Sequence, residues 1–244
     1  MRAILLAAGL GTRLGELGRD TPKCLIQVGS EPLLGRLLGQ LFDAGIEKIL
    51  VNTHHRAELI RDYVAQSAFA SRVLVTYEPE LLGTAGTLRA NWEFFQGGPG
   101  MVLHGDNFFG KELPGLLETF DKRDEGIVGT MLVFESDRPS ECGIIEADES
   151  GRVTAFHEKV AHPPGRTASA AVFVFSPKID ESIAALSSDN PDISKDLIPV
   201  LIGQINVHHA SGEVIDIGTP RGLNAVRSHA LNEYRRTPFL GPLT

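Results

Sequence analysis

Two cations, Arg13 and Lys23, follow a glycine-containing loop (Gly9-Leu10-Gly11), and two aspartates lie next to or two residues from a glycine in Gly105-Asp106-Asn107 and Asp216-Ile217-Gly218. Glycine lets backbone N–H groups approach a phosphate with no Cβ in the way, and the planar fork of a guanidinium matches phosphate oxygens. Two carboxylates are what Mg²⁺ takes when substrate phosphates and water complete its shell. Each residue also has an ordinary use. Gly9 and Gly11 suit a plain strand-to-helix turn, and Asp106 and Asp216 suit turns or helix caps. Together they could serve a phosphate and a divalent metal ion, and the residue types alone leave the ordinary uses open.

Two familiar phosphate motifs fail here. A dinucleotide fingerprint GxGxxG needs a third glycine where Leu14 stands, and the loop runs on to Thr21-Pro22-Lys23 before any clear helix. That weakens a nicotinamide-dependent oxidoreductase reading. Gly105 to Glu112 (GDNFFGKE) approaches a P-loop but puts Glu112 where the metal-binding Ser or Thr belongs. His54-His55 and His208-His209 fall in strand-like segments, where adjacent side chains point to opposite faces, so neither pair is expected to share an ion.

The elements that must hold these residues alternate in period. Ala3 to Ala7 is a short apolar run, as expected of a strand covered on both faces. Leu33 to Phe42 follows a helical stripe that Gly45 would stop. Strands are predicted over Lys48–Thr53, Arg72–Tyr77 and Met101–His104, with helices over Glu58–Ala65 and Thr84–Phe95. Trp92, Phe94 and Phe95 are read as packing residues of the last helix. This order predicts an α/β fold with a mainly parallel, doubly wound, Rossmann-like sheet. After residue 126 the pattern turns β-rich: Ile127–Phe134, Gly143–Ala147, Arg152–Phe156 and Ala168–Phe175, with Glu149-Ser150-Gly151 as a hairpin turn. A helix capped by Asp192 or Ser194, short strands at Ile205–His208 and Val214–Ile217, and a helix over Thr219–Asn232 follow. We read residues 1–244 as a single domain with a first half (1–125), a β-rich second half (126–234) and a tail (235–244).

The chain has 244 residues and a net charge of −8, which argues against nucleic-acid or anionic-membrane partners because both need a broad basic surface. Only Cys24 and Cys142 are present, outside any CxxC, which predicts a reducing, cytoplasmic setting. The first apolar run is short and meets Gly9-Leu10-Gly11-Thr12-Arg13 rather than a cleavage site, so a buried strand is expected instead of a signal peptide. Monomer and homo-oligomer both stay open.

The long segments Leu6-Ala7-Ala8-Gly9-Leu10-Gly11-Thr12-Arg13-Leu14 and Thr21-Pro22-Lys23-Cys24-Leu25 resemble the signature of the sugar nucleotidyltransferases, LAAGxGTRL followed by TPKxL. Glu78 to Gly86 (EPELLGTAG) resembles that family's base-reading loop, Gly105-Asp106-Asn107 its metal motif, and Cys142-Gly143 with Glu158-Lys159 its sugar-side pair. Asp216 to Pro220 resembles its D-x-G-T-P segment. The resemblance covers residues 3 to 226. It implies a nucleotide-diphospho-sugar transferase fold and a reaction joining a nucleoside triphosphate to a sugar 1-phosphate with release of pyrophosphate. It further implies nucleotide contacts at Leu6, Ala8, Gly9, Gly11, Thr12, Arg13, Glu78, Gly83 and Thr84. Sugar-phosphate contacts are implied at Gly143, Glu158, Lys159 and Ser169, and Mg²⁺ ligands at Asp106 and Asp216. Arg13, Lys23 and Asp106 would carry the chemistry.

Three positions depart from the family pattern, all on the acceptor side. Cys142 stands for Tyr, Val160 for Pro, and Ser169-Ala170-Ala171 for Asn-Ala-Gly or Asn-Ala-Ala. The LLGTAG loop and VNTHH strand resemble guanylyltransferases for mannose or heptose 1-phosphate. GDNFFG is similar to thymidylyltransferases, and Pro22 to Leu25 to cytidylyltransferases of phosphocholine-like acceptors; uridylyl transfer also stays open. A non-catalytic, nucleotide-sugar-binding regulator is the rival from another class. No helical repeat domain, as bifunctional relatives carry, is expected after the last helix.

Overall fold

In the computed structural model, which describes residues 1–226, the strand Arg2–Leu6 supplies two cores at once. Ala3 and Leu5 enter one, Ile4 the other, and all three are fully buried. A strand covered on both faces has no polar side, which is why its sequence is an unbroken apolar run.

In chain order the strands are β1 (Arg2–Leu6), β2 (Gln27–Val28), β3 (Glu31–Pro32), β4 (Lys48–Thr53), β5 (Val73–Tyr77), β6 (Gly100–His104), β7 (Asn107–Phe109), β8 (Gly129–Glu135), β9 (Gly143–Ala147), β10 (Val153–Glu158), β11 (Thr167–Phe175), β12 (Ile205–His209) and β13 (Val214–Asp216). The helices are α1 (Glu16–Asp20), α2 (Leu33–Asp43), α3 (Ala57–Gln66), α4 (Thr84–Ala90), α5 (Leu113–Asp121), α6 (Asp180–Ala184) and α7 (Ile198–Val200). One sheet runs β10-β9-β11-β6-β1-β4-β5, with β8 pairing β11 and β12 pairing β8. The β6-β1-β4-β5 part is parallel. Strand β11 runs antiparallel to β6, β8 and β9, and so welds the β-rich half to the parallel half.

Helices α2 and α3, which follow β1 and β4, bury Leu37, Leu41, Ile60 and Val64 on one face of the sheet. Helix α4, before β6, buries Ala85 and Leu88 on the other. The chain therefore changes faces between β1 and β6. In a parallel sheet that change opens a crevice beyond the carboxyl ends of the two strands, here past Leu6 and His104.

Several boundaries differ from the sequence expectation. The helix over Thr84–Phe95 is two pieces: α4 ends at Ala90, and a 3₁₀ turn spans Trp92–Phe95. At the break the Thr87 carbonyl accepts both from the Asn91 N–H (3.1 Å) and from Asn91 Nδ2 (2.9 Å), so the side chain caps the last turn of α4. Trp92 and Phe95 do pack edge to face. Helix α5 was not foreseen, although Leu113, Leu116 and Phe120 form its buried stripe. The segment after Asp192 starts as a π-helix, Ile193–Leu197, with Asp192 as its cap. Gly45 (φ 88°) does end α2, and Gly151 (φ 79°) does turn the β9–β10 hairpin. Residues 220–226 are helical; the rest of the predicted last helix, and the tail from 235, lie outside the described residues.

Candidate active site

Beyond Leu6 the backbone must turn sharply, and glycine makes that possible. Gly11 adopts φ 69°, and a Cβ on Gly18 would collide with the Gly11 carbonyl oxygen, so the loop and α1 lie backbone against backbone. Arg13 sits in a 3₁₀ turn, Thr12–Leu14, with its side chain 57 % exposed. A second 3₁₀ turn, Lys23–Leu25, presents the Lys23 side chain, which is 14 % exposed.

Lys23 Nζ lies 2.8 Å from Asp106 Oδ2. Burial pushes the Asp106 carboxyl up, but the charge and hydrogen bond of the Lys23 ammonium, with lesser help from the His104 and Arg13 side chains, outweigh it and hold the group below the usual carboxylate range. Asp216 reaches the same place by strand pairing. Strands β7 and β13 form an antiparallel ladder in which Asp216 pairs with Asn107, and the Ile217 N–H donates to the Asp106 carbonyl at 2.9 Å. Asp216 Oδ2 lies 3.8 Å from Arg13 Nη1, and its Oδ1 accepts from the Gly218 N–H at 2.6 Å. A Cβ added to Gly218 would lie 2.7 Å from Asp216 Oδ1, 3.1 Å from Lys23 Nζ and 3.2 Å from Arg13 Nη2. Both cations and the Asp216 carboxylate thus converge on one point that a glycine leaves open, and Asp106 joins them through Lys23.

The donor set suits Mg²⁺. Among the described residues no group of three or more His, Cys, Asp or Glu side chains could form an all-protein cage. Two hard carboxylates tied together through neighbouring backbone are what this ion uses when phosphates supply the remainder.

Two cavities meet at this cluster. The first, of about 260 Å³, is lined by Leu6, Ala8, Gly9, Glu78, Gly83 and Thr84 among the expected nucleotide contacts, and by Lys23 and Asp106. Gly11 and Thr12 lie outside its lining, and Arg13 lines the second cavity instead. Asn52 and Thr87, which the sequence reading missed, also line the first. Asn52 Oδ1 accepts from the Ala7 N–H (2.7 Å), while its Nδ2 donates to Glu78 Oε1 (2.9 Å). Thr87 Oγ1 donates to the same Glu78 oxygen at 2.6 Å. This buried chain ties the glycine loop to the base-loop segment. Glu78 Oε2 is left with a 3.5 Å contact from the Leu82 N–H.

The second cavity, of about 280 Å³, is lined by Gly143, Glu158, Lys159 and Ser169 together with Arg13, Asp106 and Asp216. His104 and Asp106 line both cavities. Glu158 and Lys159 would face opposite ways along a straight strand. Strand β10 ends at Glu158, and Lys159 turns to φ 51°, so both line one wall, with Nζ 3.1 Å from Glu158 Oε1. Ser169 sits where β11 bulges against β8, and its Oγ accepts from the N–H of Ala171, itself at φ 51°. Asn107 Nδ2 donates to the Ala170 carbonyl (2.7 Å), fixing that bulge beside the aspartates. Asp192 and Ser194, read from sequence only as caps, line this cavity too, as does Lys195.

Over residues 2–233 the sequence matches the model of a family described as nucleotidyl transferase. It is 29% identical over 226 residues to a mannose-1-phosphate guanylyltransferase catalytic subunit beta from Drosophila pseudoobscura pseudoobscura, covering 90% of this chain and 60% of that one. It is 27% identical over 261 residues to a UTP–glucose-1-phosphate uridylyltransferase from Synechocystis, covering 99% of this chain and 66% of that protein. The chain thus spans about two thirds or less of these two relatives. A crystal structure from Bacillus anthracis, described as a glucose-1-phosphate thymidylyltransferase in complex with a sucrose, superposes with a TM-score of 0.83 at 22% identity. That superposition covers 99% of this chain and 98% of the other and shows a common fold.

Proposed function

This chain belongs to the nucleotidyl transferase family, and from that premise we propose that it joins a nucleoside triphosphate to a sugar 1-phosphate, giving a nucleotide sugar and pyrophosphate. One observation carries the reading: two cavities, one beside the glycine loop and one beside Glu158-Lys159, share Asp106 with Lys23 at 2.8 Å. A site that joins two phosphorylated molecules needs this plan, one compartment for each and a charged gate between them.

The chemistry asks the protein mainly for placement and charge. Two like unit charges about 4 Å apart repel by about 4 kcal/mol at an effective dielectric near 20. The acceptor phosphate oxygen must come in line with the α-phosphorus against repulsion of that order. Lys23, on the first cavity and 2.8 Å from the shared Asp106, would hold the α-phosphate and the incoming phosphate together. Arg13, exposed on the acceptor side of the loop, is placed to receive charge on the triphosphate and the departing pyrophosphate. Asp106 and Asp216 would hold Mg²⁺, which would neutralise phosphate charge and fix its geometry. In the free protein each carboxylate is matched instead by a cation, Lys23 for Asp106 and Arg13 for Asp216.

For the base we favour guanine, with mannose or heptose 1-phosphate as acceptor. Three of the relatives are named mannose-1-phosphate guanylyltransferase catalytic subunit beta, at 28–29% identity. Glu78 supports the same choice, because its Oε2 is an underused acceptor on the nucleotide cavity and guanine offers adjacent N–H donors. The test is pyrophosphate release with Mg²⁺ across GTP, dTTP, UTP, CTP and ATP. Each is paired with mannose, heptose, glucose and N-acetylhexosamine 1-phosphates and with phosphocholine. GTP with mannose or heptose 1-phosphate is expected to lead. Release only with another triphosphate would overturn the base, and silence from folded, nucleotide-binding protein would favour the regulatory reading.

A further inference from the structure

Three cations line the acceptor cavity: Arg13, Lys159 and Lys195. Two are already matched by carboxylates, Arg13 by Asp216 at 3.8 Å and Lys159 by Glu158 at 3.1 Å. Lys195 is exposed, and among the described residues no carboxylate lies within 4 Å of its ammonium. A sugar 1-phosphate brings about −1.5 to −2 charges at neutral pH. It enters a cavity whose other two cations have anionic partners, so a third, uncommitted cation is the group best able to answer that charge.

The backbone beneath Lys195 is held with unusual thoroughness for an exposed residue. Asp192 Oδ1 accepts from the N–H groups of Ser194 (2.9 Å) and Lys195 (3.2 Å). Asp192 Oδ2 accepts from Thr84 Oγ1 (2.9 Å), which in turn accepts from the Ile193 N–H (2.7 Å). The Pro191 carbonyl accepts from the N–H groups of Ala85 (2.9 Å) and Gly86 (3.1 Å), in the first turn of α4. Gly83 packs so tightly on Asn190 and Pro191 that a Cβ there would lie within 2.7 Å of their backbone. The turn carrying Lys195 is therefore fastened to the end of the nucleotide loop. Its side chain starts from a fixed base, which lowers the entropy lost when it closes on a ligand.

We propose that Lys195 is an acceptor-binding residue that meets the phosphate of the sugar phosphate, with Asp192 as its positioning residue. The assignment rests on the proposed nucleotidyl transfer. It also explains the use of Thr84, whose hydroxyl is committed to Asp192 and Ile193.

Steady-state pyrophosphate release on the full chain tests it, using the best pair from the substrate panel. Lys195→Ala is expected to raise the acceptor KM on the order of tenfold while leaving kcat and the triphosphate KM nearly unchanged. Lys195→Arg should restore most of the affinity, and added salt should narrow the gap between wild type and Lys195→Ala. Asp192→Ala should raise the acceptor KM in the same direction, and less than additively when combined with Lys195→Ala. An unchanged acceptor KM in Lys195→Ala, or equal losses in kcat and both KM values with no rescue by Arg, would overturn the assignment while leaving nucleotidyl transfer intact. A folded wild-type protein silent on every pair would overturn the proposed function itself, and this assignment with it.

Discussion

At the scale of single residues, the strongest expectation concerns the two cations of the N-terminal loop. Arg13→Ala and Lys23→Met should each lower kcat/KM on the order of 10²–10³, the loss expected when a charge stabiliser of the transition state is removed. Lys23→Met carries a further consequence, because it strips Asp106 of the cation 2.8 Å away. Unchanged kcat/KM in either folded variant would remove that residue from the mechanism. The cysteines offer a check that needs no turnover. Burial, helped by the charge of Asp106, pushes the Cys24 thiol up to about 12, so it should resist a thiol reagent at neutral pH. Cys142 is half-buried on the acceptor cavity, 3.4 Å from Ser136 Oγ. One equivalent of label per chain is expected, at Cys142, and sugar phosphate should slow it; labelling of Cys24 at a comparable rate would contradict this burial. Arg13, Lys23, Asp106 and Asp216 were singled out by the resemblance to the sugar nucleotidyltransferases, since each alone has an ordinary use in a turn or cap; the fold then brings Lys23 beside Asp106 and Arg13 beside Asp216. Asn52, Thr87 and Lys195 were not singled out. Their significance comes from partners brought close by folding, as when Asn52 bonds to Ala7, Glu78 and Thr87 at once.

At the scale of elements, the site depends on a ladder of only three residue pairs. Strands β7 and β13 put Asp216 opposite Asn107, and the next N–H binds the Asp106 carbonyl. The sequence showed both aspartates but not the ladder, since three-residue strands are too short for a period-2 pattern to stand out. It read β4 and β9 to their observed ends because β-branched, apolar runs there are bounded by polar or turn residues. Two glycines after β13 separate chemistry from stability. At Gly218 an added methyl meets the far ends of Asp216, Lys23 and Arg13, which can swing aside. Gly218→Ala should therefore cut turnover tenfold or more, as about 1 Å of misplacement can, with little change in Tm. At Gly222 the methyl meets the backbone carbonyl of Asp216, which cannot move without breaking the ladder. Gly222→Ala is expected to cost about 1–3 kcal/mol of stability, read as a lower Tm. Equal effects of the two substitutions on Tm and on turnover would show that the ladder does not set the geometry of the charges.

At the scale of the molecule, the α/β alternation and the later β-rich pattern made the fold class readable, and one sheet runs through both halves of the chain. Strand β11, from the second half, pairs with β6 from the first through Val172–Leu103 to Phe175–Gly100. Alternate residues of β11 then enter opposite cores, Val172 and Val174 with β1's Ala3 and Leu5, Phe173 and Phe175 with Ile4. That pairing joins residues distant in sequence, and no local pattern announces it. Its consequence is mechanical: neither half keeps its core if the other unfolds. Heating should give a single cooperative transition, the same by tryptophan fluorescence at Trp92, in the first half, and by far-ultraviolet circular dichroism. A nucleoside triphosphate bound as proposed, chiefly in the first cavity, should raise that whole transition. At a hundredfold excess over Kd the gain is about 2.7 kcal/mol, and at ~2–4 °C per kcal/mol for a chain of this size Tm should rise by roughly 5–10 °C. Two resolved transitions, with only the first displaced by nucleotide, would mean that the β6–β11 seam does not bind the halves into one folding unit. The shared position of Asp106 between the cavities would then depend on a seam that can part.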